Sequence, residues 1–220
     1  MRNHPQNLFH STKRKPAKHS LLGGAISVSN LTKFFKSSYS KSKKEKPPEK
    51  IDTYNYDPEI SNMFGSVYHD PNTGHAVLTH RGTVGTYDWI NNLAYLTGTY
   101  KYTDRYKEGQ KLQKATENKY GAKNVSTLGH SQGSVLSREL GKNSKEIINL
   151  NPAYLGEKPL QNEYNIRSSG DVVSGALANT NRSHDIHIPA QSYNPLTEHK
   201  TDILNRIDQN IMVGRGSYPL

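Results

Sequence analysis

Cysteine is absent from the 220 residues, so neither a disulfide framework nor a thiolate metal site can exist. Apolar residues are scarce at 32%, and the mean hydropathy of −0.85 is low for a folded chain, so part of it is expected to stay outside the core. No stretch approaches the roughly 18 apolar residues of a membrane-crossing helix. The segment SLLGGAISV is interrupted by two glycines and follows a polar, basic lead. It is therefore not expected to be the core of a cleaved secretory signal. No His-x-x-x-His pair or carboxylate cluster has ligand spacing, and no metal or other cofactor is expected. Acid is nearly missing from the first 50 residues, where twelve Lys and Arg face only Glu45 and Glu49. That imbalance accounts for the whole net charge of +10 and leaves residues 51–220 neutral. A basic arm on a neutral body implies an anionic partner for the arm, a membrane surface or nucleic acid, rather than an anionic substrate for the body.

What is present has the length for one α/β domain with an appendage. Residues 1–20 show no periodicity and are expected to form a disordered basic arm. From Ser27 the apolar residues Val28, Leu31, Phe34, Phe35 and Tyr39 recur at helical spacing with Lys33 and Lys36 between them. Such a short basic amphipathic helix either lies on a membrane or in a partner's groove, or packs on its own domain. The stretch 41–50, with Pro47 and Pro48, is charged and cannot continue a helix, so it is expected to link residues 1–50 to a domain spanning 51–220.

Within that domain, residues 65–69 and 75–80 flank Asp70-Pro71-Asn72-Thr73-Gly74, a hairpin turn. Helices are expected over 88–96, 103–120 and 132–140. Strands are expected over 124–128, 146–150, 163–167 and 184–188. The alternation predicts an α/β fold with a mostly parallel, doubly wound sheet.

The chemistry centres on Gly129-His130-Ser131-Gln132-Gly133, which follows the β-prone run Asn124–Leu128. A serine between glycines at a strand-to-helix turn has the pattern of a nucleophile elbow, where neighbours without a Cβ let the following helix pack close behind a strained backbone. A serine hydroxyl needs a histidine to take its proton, and the histidine needs an acid to fix its tautomer. Downstream, Asp171 follows a strand pattern and is the leading acid. His184 and His187 share a strand and face opposite sides, so at most one of them can reach a site. His199 lies in a loop after Pro195 and is the leading base, with His184 as the alternative. An oxyanion requires N–H donors. The amide after the nucleophile, at Gln132, supplies one, and Thr83, in the His80-Arg81-Gly82-Thr83 strand end, offers an amide and a hydroxyl.

Taken together, a strand running into Arg81-Gly82-Thr83, a Trp-containing segment around Tyr87 and Trp89, the GHSQG elbow, an Arg167-Ser168-Ser169-Gly170-Asp171 loop and a late histidine resemble the class 3 (fungal-type) lipase family over about residues 60–205. The resemblance implies an α/β-hydrolase fold and hydrolysis of lipid esters through an acyl-serine. It further implies Ser131, Asp171 and His199 as catalytic residues, Thr83 and Gln132 as the oxyanion hole, and Tyr87 and Trp89 in a lid. Asp171 follows Ser131 by only 40 residues and His199 follows Asp171 by 28, so the loops shaping an acyl groove are short. The family's His-x-Gly-Phe after the lid is replaced by the tyrosine-rich residues 98–106. In the arm, Leu21-Leu22-Gly23-Gly24-Ala25 resembles the cleavage sequence of adenovirus-type maturation proteases, and the helix behind it resembles the membrane-lytic segment of an adenoviral internal capsid protein. This implies a virion component acting in membrane penetration. The competing expectation is a non-catalytic membrane- or nucleic-acid-binding protein on a degenerate hydrolase scaffold.

Overall fold

A computed structural model describes residues 26–84, 103–153, 159–172 and 185–207. The Leu21–Gly24 sequence, the helix expected over 88–96 with Tyr87 and Trp89, and His184 lie outside the described residues.

Helix α1 (Val28–Ser37) begins where Ser27 accepts the Asn30 amide hydrogen at 3.3 Å, a serine N-cap. A sheet of eight strands follows in sequence order: β1 (Lys50–Ile51), β2 (Tyr54–Tyr56), β3 (Gly65–His69), β4 (Ala76–His80), β5 (Val125–His130), β6 (Glu146–Leu150), β7 (Glu163–Ser168) and β8 (Asp185–Ile188). The first three junctions are antiparallel and the last four parallel. Helices α2 (Asp104–Tyr120) and α3 (Gly133–Leu140) connect the parallel strands, and the short α4 (Pro195–Glu198) follows β8. The hairpin between β3 and β4 closes where Gly74, at φ +71°, donates to the Asp70 carbonyl at 2.9 Å.

Both faces of the sheet are covered, in two different ways. Parallel strands laid down in order without a reversal, joined by right-handed crossovers, put their helices on one face. Accordingly α2 and α3 touch, with Gly109 packed closely on Leu136. The residues of β4 alternate between the faces: Ala76 and Leu78 point to the α2 side with Val125 and Leu112. Val77 points to the other side. That other face is closed by segments from the two ends of the described chain, α1 and the 3₁₀ turn Thr201–Arg206.

This changes the standing of the basic segment. Leu31, Phe34 and Phe35 are fully buried in one cluster with Tyr68, Val77, Leu128, Ile148, Ile166, Ile203 and Leu204. The apolar stripe of α1 is thus consumed by the core, at roughly 2 kcal/mol per large side chain removed from water, and is not available to a membrane or a partner's groove. The domain therefore extends back beyond residue 51, at least to Ile26, which is also buried. The stretch expected as a linker is tied down as well: Lys41 Nζ donates to the Ser61 carbonyl at 2.6 Å, and Tyr68 Oη to the Pro48 carbonyl at 2.9 Å.

Candidate active site

Strands β4 to β8 run parallel, so their carboxyl ends share one edge, and the residues just past those ends converge there. Ser131 follows β5 with φ +53°, a left-handed conformation that costs a serine about 1–3 kcal/mol. The surroundings enforce it. Its amide donates to the Leu150 carbonyl at 3.0 Å, and the Ser134 amide donates to the Ser131 carbonyl at 3.0 Å. A Cβ on Gly129 would lie 2.4 Å from Ser137 Oγ, and one on Gly133 would lie 2.2 Å from the His80 carbonyl oxygen. Only glycines at these two places let α3 sit against β5 and the end of β4.

Ser131 Oγ lies 2.7 Å from His199 Nε2, and His199 Nδ1 lies 3.0 and 2.9 Å from the two Asp171 carboxylate oxygens. A carboxylate only accepts, so Nδ1 carries the hydrogen, and Nε2 of the neutral ring accepts from the serine hydroxyl. Asp171 is 1% exposed. The structure therefore brings Ser131, His199 and Asp171 into one hydrogen-bonded chain, while His187, on β8, has no described bond to this group.

Thr83 and Gln132 stand at the same edge, with Thr83 Oγ1 donating to Gln132 Oε1 at 2.6 Å. The threonine hydroxyl is thereby engaged, whereas among the described residues neither the Thr83 nor the Gln132 amide donates to a protein acceptor. Arg81 braces the turn before Thr83: Nη1 donates to the Gly82 carbonyl at 2.7 Å and Nε to the Met63 carbonyl.

No family model matches the chain, and no curated protein does. Among solved structures it is similar to the Lip2 lipase of Yarrowia lipolytica, with TM-score 0.51 and 14% identity over 73% of this chain and 77% of that one. A triacylglycerol lipase of Penicillium expansum aligns over the same shares at 15% identity and TM-score 0.44. The chain shares with the Lip2 structure an α/β fold with a mostly parallel sheet and flanking helices.

Several residues of the site have roles that the sequence did not signal. Tyr39, just past α1, accepts the Gly82 amide hydrogen at 2.8 Å and lies 2.5 Å from His130 Nδ1. The far nitrogen of His130 lies 2.9 Å from the His199 carbonyl, which can only accept, so Nε2 carries the hydrogen and Nδ1 accepts from the tyrosine hydroxyl. Burial pushes the Tyr39 hydroxyl up to about 12 and the His130 ring down to about 3, so both stay neutral and this polarity is fixed. One tyrosine thus ties together the turn before Thr83, the residue preceding Ser131 and the backbone of His199.

Glu198, beside His199, is fully buried. It accepts from Arg206 at 2.6 Å, from the Ser168 hydroxyl, and from the amides of Gln191 and Ser192 at 3.2 and 2.8 Å. Arg206 above all, with Ser168 and the Gln191 amide, outweighs desolvation and holds its carboxyl down to about 2. Asn151, at φ +45° past β6, donates to the Glu198 carbonyl at 2.9 Å and accepts from the Ser168 amide at 3.0 Å. Together they fix the loop carrying His199 against the strand end that leads to Asp171.

A cleft of about 710 Å³ opens over Ser131 and His199. Tyr39, Pro48, Val84 and Leu196 contribute apolar wall, and Lys33, Lys36, Lys43 and Lys200 stand around it. The lysines of the basic segment are thus partly turned toward the site itself, a placement that the charge distribution along the chain did not predict.

Proposed function

We propose that this protein is a serine hydrolase of lipid carboxylic esters, working through an acyl-serine intermediate. The observation that carries this reading is the Ser131–His199–Asp171 chain, mounted on a strained elbow beside two amides that have no acceptor among the described residues. Ser131 Oγ attacks the ester carbonyl carbon while His199 Nε2 takes its proton, and Asp171 holds the ring and balances the imidazolium. The carbonyl oxygen becomes an oxyanion within reach of the Thr83 and Gln132 amides. Collapse expels the alcohol, which takes the proton back from His199. Water, activated by the same histidine, then releases the fatty acid and restores the serine. Thr83 contributes its amide in this reading, with its hydroxyl spent on holding the Gln132 side chain in place. The apolar wall of Val84, Leu196 and Pro48 suits an acyl chain.

The test is hydrolysis of short-chain esters by the full chain, with fluorophosphonate labelling and mass-spectrometric location of the adduct. Labelling at Ser131 is expected, with turnover falling by at least about 10⁴-fold in Ser131→Ala. Unchanged turnover in that variant, or an adduct elsewhere, would sink the reading.

A further inference from the structure

The cleft over Ser131 pairs its apolar wall with a cationic rim. Lys33 and Lys36 lie three residues apart on the exposed side of α1, whose opposite side is buried, so both project toward the opening. Lys43 comes from the 3₁₀ turn that follows, and Lys200 directly succeeds His199. The carboxylates at the same opening are Glu45 and Asp202. Lys36 is engaged by Asp202 at 2.5 Å. Among the described residues Lys33, Lys43 and Lys200 have no ion-pair partner. Three exposed ammonium groups around a cavity with low-dielectric walls focus a positive potential into it. A neutral triester gains nothing from that field, whereas an ester carrying an anion on its alcohol part is drawn in and oriented, acyl chain to the apolar wall and anion to the rim. Lysines, as mobile point charges, suit a phosphate that must be held at variable distance from the scissile bond.

We propose that the cleft selects acyl esters whose alcohol part bears a phosphate anion, the chemistry of an anionic phospholipid, and that Lys33, Lys43 and Lys200 determine this preference. The proposal rests on the ester-hydrolase reading and names its substrate class. It also gives the positive charge of the N-terminal segment a use at the site, in addition to any that residues 1–25 have.

The experiment compares dihexanoyl-phosphatidylglycerol with dihexanoyl-phosphatidylcholine, both as monomers below their micellar concentrations, using the full-length chain at low salt. The kcat/KM ratio of anionic to zwitterionic lipid is expected to be at least about tenfold, to shrink in 0.5 M salt through screening, and to collapse toward unity in the triple variant K33E/K43E/K200E. Circular dichroism melting establishes that the variant is folded, and Lys200→Gln alone, expected to lower the ratio severalfold, gives a milder second variant. A ratio near unity for the unaltered chain, or one unmoved by the triple variant, would overturn the proposal. A preference seen with phosphatidylglycerol vesicles and not with monomers would also overturn it, since the lysines would then serve a lipid surface rather than a head group in the cleft. Binding separates this proposal from the hydrolase reading itself. Dodecyl phosphate should bind the Ser131→Ala chain at least about tenfold more tightly than dodecyl maltoside, and the advantage should vanish with the three lysines. Equal affinity would overturn the selectivity whether or not the chain turns over esters.

Discussion

The parallel strands and the segment before them meet at the same cleft and bring different things to it. Strands β4, β5 and β7 deliver Thr83, Ser131 and Asp171 just past their carboxyl ends, and the α4 segment that follows β8 delivers His199. Residues 26–56 deliver none of these. They supply an apolar plug of Leu31, Phe34 and Phe35 and part of the lysine rim. They also supply two tyrosine hydroxyls that end on buried histidines, Tyr39 on His130 at 2.5 Å and Tyr54 on His75 at 2.7 Å. The second junction has the same polarity as the first. Ser126 donates to the Glu146 carboxylate at 2.7 Å, so it accepts from His75 Nε2 at 2.8 Å, which leaves Nδ1 to accept from Tyr54. The strand region thus places the proposed reacting groups by topology, and the earlier segment holds them in place and shapes what can reach them.

Acid is the strongest way to break the join between the two regions. At the two junctions burial holds His75 down to about 4 and His130 down to about 3, against an ordinary 6.5. Between those values the unfolded chain binds protons that the folded chain refuses. Stability is therefore complete above about pH 6.5 and falls as the pH drops toward 4. At pH 5 the loss is about 2 kcal/mol per ring. Urea midpoints should fall steeply from pH 7.5 to pH 5, and a flat profile would mean that the tyrosine–histidine junctions are not closed and neutral. Next in size is Phe34→Ala, which empties a fully buried site and should cost about 3–5 kcal/mol in denaturant unfolding. A cost below about 1 kcal/mol would return α1 to the role of an outlying arm. The smallest effect sharpens the comparison most. Tyr39→Phe keeps the ring and removes the hydroxyl, leaving the Gly82 amide and His130 Nδ1 without their shared partner. We expect kcat to fall about 10- to 100-fold with KM changed much less, together with about 1–3 kcal/mol of stability. Equal changes in both kinetic constants would point to a substrate contact and against a positioning role.

The elements that could be anticipated from sequence are those whose signals are local. The turn at residues 70–74 did produce the β3–β4 hairpin, and the expected strands match β5 to β8 to within two residues at each end. The elbow was legible because two glycines and a serine in a fixed pattern have one steric meaning at a strand-to-helix turn. For Asp171 and His199, chain order and loop position pointed to residues that the structure places against each other, at 2.9 and 3.0 Å. By contrast, Tyr39 read only as one position of an apolar helical stripe, and Asn151 and Glu198 had no pattern around them. Their roles exist only because segments far apart in the chain abut: Tyr39 and His130 are separated by 91 positions, and Asn151 and Glu198 by 47. The helical spacing of Leu31, Phe34 and Phe35 announced a helix with one apolar face, and could not say which surface would cover that face.

By itself, then, the amino-acid sequence determined the alternation of strands and helices, the bend at Ser131 and the chain order of serine, acid and histidine, because each depends on backbone sterics and side-chain periodicity within a few residues. Only the tertiary structure decided that the basic N-terminal helix closes the second face of the sheet, that Tyr39 just past it ties three loops of the candidate site together through His130, and that its lysines stand at the cleft. Those outcomes depend on which apolar surfaces find each other when the chain is removed from water. The hydrophobic effect that drives this pairing carries no directional label in the sequence.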